Sequence, residues 1–182
     1  MLFRRKVWAR DAGDLAEFRR LDEKQPYEED GSPVVGAIFS GFAYWGAGDQ
    51  ALARARVAPF VEEARKQVTS TPDNYLAWGN LGQLELLSGQ PDAAMEHLAK
   101  AARLLPPSRD AVAGVDVRYW YLSGCAMTGR KDEALTGLAE LVRQPTGIPL
   151  IDIRTSPAFL PLRDDPRFQA ILKDPKSRAQ LF

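Results

Sequence analysis

YLAWGNLGQLELLSGQPDAAMEHLAKAARLLP, residues Tyr75–Pro106, has the pattern of two helices joined by a tight turn. In its second half, Ala94 and Leu98 fall on one face of a helix with 3.6 residues per turn. Gly89 suits the left-handed cap that ends the first helix, and Pro91 suits the first turn of the second. One such pair leaves apolar surface uncovered on both sides, so it needs further pairs stacked against it.

Neighbouring pairs are present, because a turn glycine followed five positions later by an alanine occurs three times. The three glycine–alanine pairs are Gly48 and Ala53, Gly89 and Ala94, and Gly129 and Ala134. Apolar residues follow each alanine at helical spacing, so the three segments share one register. The alternative is that three unrelated amphipathic helices share this spacing.

The central pair also carries the residue pattern of a tetratricopeptide (TPR) repeat. The matching residues are Trp78, Leu81, Gly82, Gly89, Ala94, Leu98, Ala101 and Pro106. The turn glycines are 41 and 40 residues apart, however, whereas the TPR period is about 34. HEAT-type helix pairs, whose period is about 40, are therefore the alternative architecture.

The sequence thus predicts an all-α protein, with a TPR-like superhelix of about three helix-turn-helix units, an N-terminal helix and a C-terminal capping helix. The predicted parts are an N-terminal helical extension (1–32), three helical hairpins (33–145), and an extended segment followed by the capping helix (146–182). The first of these parts is expected to hold one or two helices before a polar loop at residues 25–33.

Three local features refine this prediction. Pro59 falls inside the second helix of the first unit, where its ring should bend the helix or break it at Ala58. Ile148–Ile153 is apolar and β-branched, and we expect it to be extended and packed, without a partner strand. Asp165 can cap a last helix that Pro166 opens.

Composition restricts the classes of function. The formal net charge is zero, which argues against a nucleic-acid-binding surface. Cys125 is the single cysteine, so no internal disulfide forms, as in proteins of reducing compartments. The uncharged run Gly31–Gly48 contains a proline and several glycines, so we do not expect it to span a membrane. We expect a cytoplasmic protein, or a periplasmic one if the chain is part of a membrane-anchored signalling protein.

Three motifs resemble those of a known group. They are LLPPSRDA at Leu104–Ala111, GRKDEAL at Gly129–Leu135 and PLRDDPRFQAIL at Pro161–Leu172. The chain from about residue 34 to residue 173 resembles the C-terminal TPR-like region of bacterial signalling proteins. In that group the region follows a serine/threonine kinase, adenylate cyclase or winged-helix DNA-binding domain. The resemblance implies an interaction or sensory module whose effector domain lies elsewhere, and it implies no catalytic residues here.

The residues that could carry chemistry have simpler structural roles. His97 is the only histidine, and we expect it on the outer surface rather than as a base or a metal ligand. Cys125 is expected to be a small core residue. The adjacent carboxylates Asp132 and Glu133 point about 100° apart on a helix and do not converge on one substrate. We therefore expect no metal, no cofactor and no enzyme activity.

The leading helices of the three units supply a candidate partner-binding groove, because these helices line the concave face of TPR arrays. The inward positions are Ile38, Phe42 and Trp45 in the first unit, Leu76, Asn80, Gln83 and Leu87 in the second, and Asp116, Tyr119, Trp120 and Ser123 in the third. Aromatic anchors of this kind are typical of interaction hot spots. The alternative is that several of them, Phe42 and Trp45 above all, pack against the C-terminal tail or the N-terminal helix.

This groove suggests a non-catalytic protein–protein interaction module that binds a protein or peptide segment. The alternative is a regulatory or sensory C-terminal domain of a larger bacterial signalling protein or transcription regulator. The groove positions include no Lys or Arg to clamp a terminal carboxylate, so chaperone-tail peptides are not the expected ligand. The identity of the partner and the oligomeric state do not follow from the sequence.

Overall fold

The computed structural model describes residues 2–25, 32–144 and 146–174. This part of the chain is helical and contains no strand, which confirms the all-α prediction. Its helices are α1 (Leu2–Asp11), α2 (Leu15–Lys24), α3 (Pro33–Gly46), α4 (Gln50–Ser70), α5 (Tyr75–Leu87), α6 (Pro91–Leu104), α7 (Ala113–Met127), α8 (Lys131–Leu141), α9 (Leu150–Thr155), a 3₁₀ helix (Pro157–Leu162) and α10 (Pro166–Leu172). Most of the predicted polar loop lies outside the described residues.

The three predicted turns share one backbone geometry. Gly48, Gly89 and Gly129 have positive φ angles of 82°, 81° and 81°, in the left-handed region that glycine occupies without strain. In each turn the residue after the glycine donates its N–H to the carbonyl five positions earlier. In the central turn this bond runs from Gln90 to Glu85 and is 2.9 Å long. Each turn is thus a Schellman motif that leads directly into the next helix.

The alanines of the predicted register lie at equivalent points. Ala53, Ala94 and Ala134 are each 0% exposed. The N–H of each donates to the carbonyl of the residue that follows the turn glycine, which makes it the first helical bond after the turn. A methyl group at this point lets the two helices of a hairpin approach closely. The predicted glycine–alanine register is therefore confirmed.

The hairpins α3–α4, α5–α6 and α7–α8 pack side by side. Helix α5 contacts both α3 and α4, and α7 contacts both α5 and α6. Helices α3, α5 and α7 therefore form one layer, called here the leading layer, and α4, α6 and α8 form the trailing layer. Successive leading helices contact each other more extensively than successive trailing helices do, so the leading layer is the tighter side of the array.

A further hairpin precedes the three predicted ones. Helices α1 and α2 are joined through Gly13, which has a φ of 74°, and Asp14 donates its N–H to the carbonyl of Ala9 at 2.9 Å. This is the same turn as in the other hairpins. Phe18, five positions after the glycine, is 1% exposed and stands where the others carry alanine. The N-terminal extension is thus two helices, here called the N-terminal hairpin.

Two local expectations are corrected by the structure. Helix α4 runs unbroken through Pro59, so the alternative of a break at Ala58 is wrong. The proline ring is exposed, which leaves the backbone groups around it accessible to water. The expected extended segment is instead largely helical, as α9, in which Ile153 is fully buried. Even a short helix satisfies some of its own backbone groups, which a lone strand without a partner cannot do.

The C-terminal segment closes the third hairpin. Asp165 caps α10 by accepting the N–H of Arg167 at 2.9 Å, and Pro166 is the first helical residue, as predicted. Phe159 and Phe168 are at most 1% exposed and belong to the same apolar cluster as residues of α7 and α8. The core therefore continues across the predicted boundary near residue 145. Of the described helices, none has the length and apolar character needed to cross a bilayer.

Candidate functional site

The predicted groove residues fall into three groups by exposure. Ile38, Gln83, Leu87 and Ser123 are at most 7% exposed. Phe42, Trp45, Asn80, Tyr119 and Trp120 are half-buried, and Leu76 and Asp116 are exposed. The four interior side chains are enclosed because successive leading helices approach each other closely. In this conformation they support the leading layer and do not reach a partner.

The C-terminal 3₁₀ helix covers part of the leading layer through contacts with α3 and α7. The rings of Tyr119 and Phe159 meet edge-on, with centroids 5.4 Å apart. A Cβ atom added to Gly46 would lie 2.5 Å from Cβ of Pro157, so the segment also lies directly on the end of α3. Burial raises the pKa of the Tyr119 phenol. Tyr119 therefore packs against the C-terminal segment, as the alternative given for the groove residues predicts.

The aromatic residues of α3 also make contacts within the chain. Trp45 packs against the apolar cluster that includes Phe18 and Tyr44, which joins the N-terminal hairpin to the first of the three central hairpins. Phe42 packs against the cluster shared by α3, α4 and α5. Both side chains keep partial exposure, so they border the leading layer rather than form an open groove.

The leading layer is exposed between α5 and α7, toward the N-terminal ends of both helices. The Trp120 ring lies against α5, since a Cβ atom added to Gly79 would be 2.7 Å from two ring atoms. One turn toward the N-termini from this contact lie Leu76, which is 45% exposed, and Asp116. Desolvation raises the pKa of Asp116. We call Leu76, Asn80, Asp116 and Trp120 the open face.

A buried carboxylate joins three helices on the trailing side. Glu85 of α5 is 1% exposed, and its Oε1 accepts from Nη2 of Arg65 at 3.1 Å. Its Oε2 lies 2.6 Å from Nδ1 of His97, whose ring is 5.2 Å from the Trp78 ring. His97 lies in the trailing layer, where we expected a surface side chain, but it is only partly exposed and is paired with Glu85. The sequence missed this pair because an isolated glutamate in a helix usually faces water.

The pairing of histidine with carboxylate invites comparison with a catalytic dyad. Such a dyad needs a nucleophile at the second ring nitrogen of the histidine. Among the described residues, His97 has a hydrogen bond with Glu85 and a ring contact with Trp78, and neither partner is a nucleophile of that kind. The cluster is best understood as a polar connection between α4, α5 and α6.

A second buried ionic cluster fixes the N-terminal hairpin. Nζ of Lys6 lies 2.8 Å from Oδ1 of Asp22, and both side chains are at most 5% exposed. Tyr44 donates its hydroxyl to Oδ2 of Asp22 at 2.8 Å, and Ser40 donates to Oδ1. Burial and the neighbouring Asp22 charge raise the pKa of Tyr44. These bonds satisfy the carboxylate and join the N-terminal hairpin to α3.

Metal and thiol chemistry find no support in the described residues. Among them, no three His, Cys, Asp or Glu side chains converge to hold a metal ion. Cys125 is fully buried, which confirms the expectation of a core residue. Its burial raises the pKa of the thiol to about 11, so it is a neutral thiol near pH 7 rather than a reactive thiolate.

A cavity of about 650 Å³ lies between the N-terminal hairpin, the end of α3 and the C-terminal segment. Its lining comes from residues 9–18, 43–47 and 154–172. No sequence pattern predicted it, because its walls come from segments more than 100 residues apart at the extremes. The cavity lies beside the part of the leading layer that the 3₁₀ helix covers, since Gly46 and Pro157 take part in both.

No family model, curated protein or solved structure matches the chain. The function is therefore inferred from the geometry of the chain itself.

Proposed function

We propose that the protein is a non-catalytic interaction module, a TPR-like array that binds a protein or peptide segment across its open face. The observation that carries the proposal is the combination of an aliphatic, an amide, an acidic and an aromatic side chain, all at least partly exposed, on two adjacent leading helices. These are Leu76, Asn80, Asp116 and Trp120. The repeated turns and the packing of α3, α5 and α7 in one layer support the TPR-like arrangement.

The chemistry of the open face defines the kind of segment that would bind. Covering the exposed Leu76 with an apolar side chain stabilises a complex by roughly 1–2 kcal/mol. The Trp120 indole is held against α5 and offers a pre-organised aromatic surface. Asp116 is a partly desolvated acid, so a positively charged group is its complement. The proposed ligand therefore combines an apolar side chain with a Lys or Arg.

A peptide selection tests this proposal. Short random peptides displayed on phage are selected against the full chain, and the affinity of a selected peptide is measured by fluorescence polarisation. Asp116→Arg should weaken binding by about tenfold or more, because it replaces an attraction with a repulsion. Glu96→Arg is the matched control, since Glu96 is an exposed acid on α6 in the trailing layer. Equal affinities of the wild type and Asp116→Arg would refute the proposal.

A second candidate function is a regulatory or sensory domain, and the 650 Å³ cavity favours it. A sensory domain needs a ligand site separate from its partner surface, and binding at the two sites must be linked. Ala47 is exposed at the end of α3 and lines the cavity, so Ala47→Trp places a bulky side chain there. If the two sites are linked, this substitution changes the affinity of the open face for its peptide. An unchanged affinity counts against a sensory role.

A further inference from the structure

We propose that the cavity between the N-terminal hairpin and the C-terminal segment is a binding site for a small organic anion with an apolar body, held at its charged end by Arg154 and Arg163. This inference stands independently of the proposed partner binding, because it concerns a different surface. It rests on three observations: the size of the cavity, the apolar residues in its lining, and the two arginines. Among the described residues that line the cavity, none is Asp or Glu.

The size and the walls suit an organic molecule rather than a bare inorganic ion. A volume of about 650 Å³ is within the range of small-molecule sites, about 300–1,000 Å³. The lining includes the side chains of Leu15, Phe18, Leu160, Phe168 and Leu172. Of these, Leu15, Leu160 and Leu172 are partly exposed, and an apolar ligand body would bury their exposed surface from water together with its own, which favours binding.

The charge of the cavity points to an anion. Arg10, Arg154 and Arg163 line it, and among the described lining residues none is Asp or Glu. Arg163 donates from Nη2 to the backbone carbonyl of Arg154 at 3.3 Å, which links the positions of these two residues. The guanidinium of Arg10 lies over the Phe39 ring, with Cζ 4.6 Å from the centroid. Two of the three arginines, Arg154 and Arg163, thus belong to the C-terminal segment, and Arg10 belongs to the N-terminal hairpin.

Other arginines near the C-terminus of the described chain do have acidic partners. Arg143 pairs with Asp174 at 2.8 Å, and Arg167 pairs with Asp165 at 2.8 Å. Within the described chain, neither Arg154 nor Arg163 forms a salt bridge. The acids of these two pairs are thus engaged outside the cavity. Arg154 and Arg163 therefore have N–H groups that can donate hydrogen bonds to a ligand oxyanion.

The donors define the charged group of the ligand. A guanidinium presents N–H groups in a planar fork that matches a carboxylate, and it also binds sulfonate and phosphate oxygens. The two guanidinium groups carry like charges, which repel each other, and an anion bound by both would offset that repulsion. An organic carboxylate is the simplest molecule with both required parts. A neutral molecule of the same shape fills the apolar part alone.

Fluorescent probes test the proposal with the full chain. Anilinonaphthalene sulfonate has an aromatic body and an anionic group, and phenylnaphthylamine is its neutral analogue. The anionic probe should bind at least about tenfold more tightly to the wild type than to Arg154→Gln/Arg163→Gln. Arg54→Gln/Arg103→Gln is the matched control, because both arginines are exposed on α4 and α6 and do not line the cavity. Decanoate should displace the anionic probe, and decanol should do so less well.

The location is tested by Ala47→Trp, which should reduce binding of both probes because the indole occupies the cavity. Circular dichroism establishes that each variant is folded. The proposal is overturned if Arg154→Gln/Arg163→Gln binds the anionic probe as tightly as the control variant. It is equally overturned if Ala47→Trp binds both probes like the wild type, or if the wild type binds neither.

Discussion

The ring of Tyr119 on α7 meets the ring of Phe159 edge-on, with centroids 5.4 Å apart and an interplanar angle of 83°. Phe159 is fully buried and belongs to the C-terminal 3₁₀ helix. The chain's own C-terminal segment thus occupies the part of the leading layer around Tyr119. Trp120, one position later, lies against α5 and borders the open face. Two adjacent aromatic residues therefore have different roles, one packed against the C-terminal segment and one at the candidate surface.

Tyr119→Ala should lower the free energy of unfolding by about 2–3 kcal/mol, because it removes a ring packed against Phe159 and leaves a cavity. Urea denaturation measures this change. Tyr119→Phe is the matched control, since it keeps the ring and should cost less than about 1 kcal/mol. If both variants have the same stability, the ring contact does not hold the C-terminal segment in place.

The turns and caps of this fold could be predicted because their chemistry is local. A left-handed glycine and the helix start after it need only a few neighbouring residues, which is why the register through Gly89 and Ala94 is recognisable. The cap at Asp165 follows for the same reason. For the N-terminal extension the sequence left one or two helices open; its hairpin uses the same turn, but Phe18 stands at the position where the other hairpins have alanine.

The candidate site was harder to predict, because it depends on which side of each helix is covered. Residues 81–87 of α5 are all buried, including the polar Gln83 and Glu85. Polar residues therefore do not mark a solvent-facing side of this helix in the sequence. The glycine–alanine pattern does not extend into the C-terminal segment, so the position of this segment over Tyr119 could not be predicted from it. Glu85 illustrates the same limit, because its burial depends on Arg65 and His97 from two other helices.

The turn glycines should resist replacement by residues with a side chain. Gly129→Ala should lower the free energy of unfolding by about 1–2 kcal/mol, because its φ of 81° is unfavourable for alanine. A Cβ atom there would meet nothing within 4 Å, so the cost comes from the backbone rather than from a clash. Gly129→Asn should cost less, since asparagine tolerates the left-handed region. If thermal unfolding shows that Gly129→Asn is less stable than Gly129→Ala, the left-handed backbone is not the reason for glycine at this turn.

The buried pair of Lys6 and Asp22 should be important for the stability of the N-terminal hairpin, because it joins α1 to α2. Lys6→Met keeps much of the apolar volume but leaves Asp22 without its closest cation, and we expect a loss of about 3 kcal/mol. Lys24→Met is the matched control, because Lys24 is exposed on the same hairpin and should change the stability by less than about 0.5 kcal/mol. Equal stabilities of the two variants, measured in urea, would show that the ion pair does not hold the hairpin.

The cap of α10 should make a pH-dependent contribution to stability. A side-chain hydrogen bond from Arg167 holds the pKa of Asp165 below its ordinary value of 3.8. A carboxyl group with a lowered folded-state pKa stabilises the fold above its unfolded-state pKa, and the contribution disappears as the pH falls through the folded-state value. Asp165→Asn keeps a capping side chain but removes the charge.

The thermal midpoint of Asp165→Asn should therefore be lower than that of the wild type at neutral pH. The two midpoints should converge as the pH falls below 3.8. A difference that stays constant over the whole pH range would show that the charge of Asp165 contributes nothing.

The most direct test of partner binding at the open face is nuclear magnetic resonance of the isotope-labelled protein, titrated with a selected peptide. We expect the backbone amide signals of Leu76, Asn80, Asp116 and Trp120 to shift together as the peptide binds, whereas the signal of Glu96 in the trailing layer should not. Shifts confined to the trailing layer, with the signals of the open face unchanged, would contradict this expectation.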